Sequence, residues 1–512
     1  MTEHHPSKLR PLILAFVALA LLFNSALAQS DDRTAVIALT GDASFLDPHK
    51  EINTLSVIVG NHFFDALTNR DPVTMETVPA LAESWEIVDP TTYVFHIRQG
   101  VKFHDGVELT AQDVKYSFDR ILDPDFSNRV RTYATAIESV EVLDDYTVQL
   151  NLNAPYAPML NRMASFYIVP QHYVEAVGSE EFNRRPMGSG PYRFVEWVRD
   201  DHITLVANEE YWAGAPAVKR VEFRSIPEGS TRIAALLSGE VHFADAISSD
   251  DQPVIDRANC CDVAVVDSNT VYYWTINSSN APFDDVRVRQ ALTHAINWDD
   301  ILGLFGGYAS RVTFPSVPTV FGHAEIAEHL QGHLFDYDPE RARELLAEAG
   351  YADGFDVNIM VPAGRYPNGE DVAQATASQL EELGLNVTIE VLEWGVFYGE
   401  LYPAGLQRDL ALGSTANPLF DPDHIMATNF DPKRTAFYYN REDLTALIDQ
   451  GVLETDPAAR IEIYKQVMEH LVEEAPYIWG YQVQRLYGLN NDLIWSPRVD
   501  GRIFVDEARW AD

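Results

Sequence analysis

Hydrophobic and polar positions change period several times along the chain, and each change marks an element. TAVIALTG at 34–41 alternates like a strand and runs into a turn at Leu46-Asp47-Pro48. SVIVGNHFFDALTNRD (56–71) then carries apolar residues at helical spacing and predicts a helix. TYVFHIRQG sets Tyr93, Phe95 and Ile97 against Val94, His96 and Arg98, the period of a strand. In LTAQDVKYSFDRIL, Thr110 stands three residues before Asp113, a capping-box start, with Val114, Phe118 and Ile121 on one helical face. ESVEVLDDYTVQLNL reads as two strands around Asp144-Asp145.

The second half repeats strand and helix in order. PERARELLAEAG places Pro339 in a first helical turn, Ala342, Leu345, Leu346 and Ala349 on one face, and Gly350 as the stop. FDVNIMV, EDVAQATASQLEELG and LNVTIEVLEW follow as strand, helix and strand, a crossover that predicts parallel pairing in a helix-covered sheet. Near the end, Ile461, Tyr464, Val467, Met468, Leu471 and Val472 form a helical stripe before the strand-like YIWGYQVQRLYGL. No repeat or low-complexity linker interrupts this order.

At 512 residues the chain exceeds a single hydrophobic core, and two or three domains are expected. Its 46% hydrophobic content excludes global disorder. Lys8 and Arg10 precede the apolar stretch Pro11–Phe23, which closes on Ala26-Leu27-Ala28. That is the build of a secretory signal peptide, residues 1–28, and no cysteine near the junction supports a lipid anchor. Its removal takes the formal charge from −40 to −41. Such a surface favours solubility and repels nucleic acid, which is not expected as a partner. The two cysteines, Cys260 and Cys261, are adjacent; they form either a strained vicinal disulfide or thiols, and disulfide geometry favours thiols.

Motifs for phosphate loops, dinucleotide binding, zinc helices and serine nucleophile elbows are absent. Met187-Gly188-Ser189-Gly190-Pro191 lacks the elbow spacing and reads as a tight connection that needs glycine. The histidines are scattered, His104 reading as a turn residue; only His424 in DPDHIM is kept as a ligand candidate. No catalytic residue, cofactor or metal site is expected.

Several stretches together resemble the dipeptide and oligopeptide class of extracytoplasmic solute-binding proteins of ABC importers (cluster C, family 5), which also includes binders of nickel complexes and oligosaccharides. The most specific runs from Pro79 to Ile121, PALAESWEIVDPTTYVFHIRQGVKFHDGVELTAQDVKYSFDRI. Supporting it in order are GSGPYRFVEWVRDDHITLVANEEYW (188–212), NSSNAPFDDVRVRQALTHAIN (277–297) and RARELLAEAGY (341–351). The resemblance implies an α/β, two-lobed periplasmic-binding-protein fold with an additional inserted domain and a ligand cleft between the lobes. Lobe I would comprise 29–70, 188–270 and 488–512, the inserted domain 71–187 and lobe II 271–487. Hinge strands are placed near VYYWTIN (271–277) and RLYGL (485–489).

It also implies ligand-binding residues. Arg365 in MVPAGRYPNG matches the arginine that holds a ligand carboxylate, a role its forked guanidinium suits. Trp394 matches a pocket tryptophan; Tyr272 or Tyr273, and the backbone around Ile52, Asn53 and Thr54, match positions lining the same cleft. The amine-pairing aspartate of the peptide binders falls on Pro418, so Asp421 or Asp423 would have to serve in its place. The resemblance therefore predicts a monomeric periplasmic component that captures a di- or oligopeptide and delivers it to ABC permease subunits. An oligosaccharide, an opine-like or sugar-phosphate conjugate, or a metal chelate are the alternatives on the same fold; an exported hydrolase or a sensory receptor are those from other classes. If the leader is cleaved, cell fractionation and N-terminal sequencing find a soluble chain beginning at Gln29; an uncleaved membrane-embedded product would refute the assignment.

Overall fold

The computed structural model describes residues 33–511 apart from 127, 402–406 and 431–438, so the leader 1–28 lies outside the described residues. Strand Thr34–Leu39 lies between parallel neighbours Arg220–Ser225 and Phe243–Ala244. Both its faces are covered, and five of its six residues are buried where simple alternation would bury three. Strands His202–Ala207 and Tyr192–Val198 extend this sheet antiparallel. Beneath it packs a core around Phe63, Phe64, Phe182, Tyr192 and Phe223.

A four-stranded antiparallel sheet, ordered Ala82–Asp89, Thr92–Ile97, Thr147–Leu152 and Ile137–Asp144, builds a separate core in the first half. Tyr93, Phe95 and Ile97 face it, as their spacing predicts. Helix Ala111–Leu122 covers the sheet and begins on the Thr110 capping box, with Asp113 Oδ2 accepting the Thr110 N–H at 3.0 Å. The helix is locked to the Leu46-Asp47-Pro48 turn by Arg120, which donates to both oxygens of buried Asp47 at 2.9 and 2.5 Å.

The third body holds strands Asn386–Leu392, Asp356–Pro362, Leu410–Ala416 and Thr270–Ile276. Its crossover through helix Gly369–Glu381 joins Asp356–Pro362 to Asn386–Leu392 in parallel, as the strand–helix–strand pattern requires. Strand Tyr477–Asn490 unites the bodies. Its first part pairs with Thr270–Ile276 and its second with Cys261–Asp267 and Phe243–Ala244. The chain thus crosses between lobes at 268–269 and 482–483, a few residues before the runs 271–277 and 485–489. Cys260 and Cys261 are free thiols beside the carbonyls of Leu237 and Leu236.

The helix expected over 56–71 ends at Gly60. The carbonyls of His62 and Phe63 accept from Tyr192 and Gly190 N–H, each at 2.9 Å, and so leave the helical ladder. A Cβ at Gly188 would overlap the Phe63 carbonyl oxygen, and one at Gly190 would lie 2.5 Å from the Phe63 carbonyl carbon. Close approach of two backbones, with negative φ at both positions, is what glycine serves here.

Two consequences are measurable. Gly188→Ala should lower unfolding free energy by about 1–3 kcal/mol in urea titration, because the added methyl must displace backbone; an unchanged midpoint would contradict the close approach. His49 and His62 are buried, and burial foremost holds each imidazole down at about 4, the Arg120 charge adding to it at His49. An unfolded imidazole takes its proton near ~6.5. Between those values the unfolded chain binds more protons, so stability is complete above ~6.5 and falls as pH drops toward about 4. Urea midpoints at pH 7.5 and 4.5 should show the loss, reduced in His62→Gln; equal losses in both proteins would refute the assignment to His62.

Candidate ligand-binding site

Three parallel strands end on one side of lobe II: Asp356–Pro362, Asn386–Leu392 and Leu410–Ala416. Arg365, Trp394 and the turn beginning at Asn417 follow their carboxyl ends in turn. Carboxyl ends of parallel strands are where open α/β sheets hold ligands, because the loops there converge beyond the sheet edge.

Arg365 is exposed, and its guanidinium lies 4.8 Å from the Trp394 ring centroid and 5.8 Å from that of Tyr366. Trp394 stacks on Tyr398 at 4.9 Å with 7° between planes, on the turn of helix Gly395–Leu401. Tyr366 stands edge-on to Tyr272 at 5.6 Å, and Tyr272 stacks on Tyr481 at 4.9 Å. Burial foremost pushes the Tyr272 hydroxyl up to about 12; Tyr366 adds to this, while Arg485 and Arg365 oppose it. Arg365 thus lies against one aromatic wall. Among the described residues no carboxylate forms an ion pair with Arg365. Arg485 donates to Asn269 Oδ1 at 3.1 Å, and its guanidinium passes over Gly501, where a Cβ would overlap it.

The sequence pair Tyr272/Tyr273 divides between the two faces of its strand. Tyr272 joins Arg365, Tyr366 and Trp394, whereas Tyr273 points into the lobe II core and bonds Thr415 Oγ1 at 2.6 Å and Asn429 Oδ1 at 3.2 Å. Ile52, Asn53 and Thr54 begin a helix of lobe I: Asn53 caps Thr54–Gly60 by accepting the Ser56 N–H at 2.9 Å, Ile52 packs against the inserted domain, and Thr54 is exposed. These three are not in contact with the Arg365 group.

The turn after Leu410–Ala416 shows what the acidic residues near Pro418 do. Pro418 is exposed, between buried Asn417 and Leu419. Asp421 is buried and paired bidentately with Arg460 at 2.6 and 2.7 Å, and it caps helix Pro422–Asn429 by accepting the Asp423 N–H at 3.0 Å. Both of its oxygens are engaged inside lobe II. Asp423 accepts from the Tyr156 hydroxyl of the inserted domain at 3.0 Å. His424, half-buried on the same helix, has its carbonyl bonded by Thr428 Oγ1 at 2.7 Å. Across the lobes, Arg70 and Asn161 donate to the Leu419 carbonyl at 3.0 and 3.2 Å. A cavity of about 600 Å³ lies behind this turn, between Thr74–Thr77 and Pro318–Glu325, and the Arg365 group does not line it.

Tyr366, Tyr398 and Arg485 escaped the sequence reading. The one available signal for Arg485 was a charge within the strand-like run YIWGYQVQRLYGL, between Gln484 and Leu486. No helix among the described residues is long and apolar enough to cross a membrane.

Residues 76–437 match the model of bacterial extracellular solute-binding proteins, family 5 middle. The glutathione-binding protein GsiB of Pectobacterium atrosepticum is 31% identical over 503 residues, covering 94% of either chain. HbpA2 of Haemophilus parasuis superposes with a TM-score of 0.85 at 24% identity, over 94% of this chain and all of that one. The periplasmic binding protein DppA of Helicobacter pylori, in complex with peptide STSA, gives 0.73 at 26% identity over 93% and 98%. The chain belongs to family 5 of the bacterial extracellular solute-binding proteins, and it is a solute-binding component of an ABC importer and not an enzyme.

Proposed function

We propose that the protein captures a short acidic peptide of the glutathione class in the periplasm and hands it to its permease subunits. The observation that carries this is the exposed Arg365 guanidinium against the Trp394 and Tyr366 rings, with no carboxylate among the described residues paired to it, and Arg485 at the crossing between the lobes, bonded to Asn269. Each suits one carboxylate, by bidentate hydrogen bonding. Glutathione offers two, one on glycine and one on the γ-linked glutamate, and the relative at 31% identity is named for binding it.

Pro418 supports the same reading. An ordinary peptide buries an ammonium with no charge of its own beside it, which is costly without a protein carboxylate. In a γ-glutamyl peptide the α-ammonium sits on the carbon that bears the α-carboxylate, so part of its compensation travels with the ligand. Proline at 418 and an Asp421 already committed to Arg460 are compatible with that chemistry. Trp394 and Tyr398 supply flat apolar surface for the middle of the ligand, and Tyr272 with Tyr366 closes one end.

The crossings at 268–269 and 482–483 provide a hinge about which the lobes close, and Asn53 and its neighbours approach the ligand from lobe I only then. Closure gains what the ligand contributes by contacting both lobes.

Calorimetry on the mature chain tests this. Glutathione should bind more tightly than an unblocked dipeptide of ordinary α-linkage. Arg365→Ala should weaken binding of glutathione by about 2–5 kcal/mol, the loss expected when one partner of a desolvated charge pair is removed. If the ordinary dipeptide binds more tightly and its N-acetylation abolishes binding, the reading of Pro418 is wrong and another carboxylate, with Asp423 the nearest candidate, serves the amine.

A further inference from the structure

Away from the cleft, two elements of lobe II bring four metal-binding side chains together. His329 closes helix His323–His329, and His333 follows in the next turn. Glu469 and Glu473 lie four residues apart on helix Pro457–Glu473, one above the other on its surface. His333 Nδ1 is 3.2 Å from Glu473 Oε1 and 3.9 Å from Glu469 Oε1, and one donor atom from each of these three residues lies within 4.8 Å of the others. His329 Nε2 contacts the other oxygen of Glu469 at 2.7 Å, and its ring stacks on His333 at 6.0 Å.

We propose that His333, Glu469 and Glu473 form a site for one divalent transition-metal ion, with zinc the best match. Zinc takes imidazole nitrogen and carboxylate oxygen at about 2.0–2.2 Å, which sets neighbouring ligand atoms roughly 3.3 Å apart around a tetrahedral ion. His333 Nδ1 and Glu473 Oε1 already stand at that spacing, 3.2 Å apart, while His333 Nδ1 and Glu469 Oε1 are 3.9 Å apart, so binding would draw the carboxylates inward by side-chain rotation. His329 orients Glu469 from outside the coordination shell, as a hydrogen-bonded neighbour of a ligating carboxylate commonly does.

A second observation points the same way. Glu469 and Glu473 sit in the last turns of their helix, beside carbonyls that carry partial negative charge, where carboxylates are disfavoured and cations favoured. A divalent ion there offsets the helix dipole and both carboxylates at once. Three protein ligands leave a fourth position for water. The ion would clip the turn at His333 to helix Pro457–Glu473, a structural role within lobe II that is independent of the solute in the cleft.

Calorimetry with zinc chloride on the untagged, chelator-treated mature chain at pH 7.5 tests the site. The expected result is one saturable equivalent, with affinity reduced at least tenfold in His333→Ala and in Glu473→Gln and less in His329→Gln. Cobalt(II) should give the intense visible bands of a tetrahedral site in the wild type and lose them in Glu473→Gln. Circular dichroism of each variant establishes that it is folded. A wild-type chain without a saturable equivalent would overturn the proposal. So would a His333→Ala/Glu473→Gln double variant that keeps the wild-type affinity, because the ion would then sit among other histidines of the mature chain, which holds thirteen of the fifteen once His4 and His5 leave with residues 1–28.

Discussion

One strand, Tyr477–Asn490, belongs to both lobes, and the positions of the other elements follow from its pairing. Its fourteen residues fill the edge of one pairing with Thr270–Ile276 and then another with Cys261–Asp267. These two partners are consecutive in sequence, so among the described residues the sheet ties the lobes at two adjacent crossings. Side chains secure that short region: Gln482 donates to the Ser268 carbonyl and Arg485 to Asn269. Gly480 admits the Trp298 ring, where a Cβ would meet it at 2.7 Å. In the proposed closure this strand would twist at 482–483 while each half keeps its ladder, and Arg485, just past the bend, would move with lobe I toward Arg365 of lobe II.

The parts of this fold legible in the sequence were those set by local rules. Period-two alternation gave Thr92–Ile97, the Thr110–Asp113 pair gave a helix start at Ala111, and strand–helix–strand order gave parallel pairing of Asp356–Pro362 with Asn386–Leu392. The failures arose where a distant segment decided the local outcome. Helical spacing over 56–71 was overridden because Gly188 and Gly190 allow a second backbone to take the carbonyls of His62 and Phe63. Motif matching brought Arg365, Trp394 and Tyr272 to one wall, yet Tyr366, Tyr398 and Arg485 become visible there only through ring contacts and electrostatics in three dimensions.

Asp421 shows the same limit for chemistry. Beside Pro422 and Asp423 it reads equally well as a ligand group or a helix cap, and the choice depends on Arg460, thirty-nine residues later, on the helix packed behind it. A buried carboxylate paired bidentately is fixed by the loss that follows removal of either partner, several kcal/mol on the order of 3–5. Such a group is poorly suited to exchange its partner for a transient ligand. The turn at 417–421 therefore exposes the Pro418 ring, and in the proposed reading recognition rests on the arginines and the aromatic wall.

That distribution of charge bears on how a chain of formal charge −40 could hold the anionic ligand proposed for it. At physiological ionic strength, charges more than about 8 Å apart are largely screened, so the acidic surface contributes little to the energy inside a cleft. Within that distance the proposed ligand would meet Arg365 and the rings beside it, where guanidinium–carboxylate bonds are stronger than in bulk solvent. The global charge keeps the protein soluble and lowers the encounter rate with anions modestly. On the proposed reading the local charge would set which anion stays, because no carboxylate among the described residues forms an ion pair with Arg365 that must first be released.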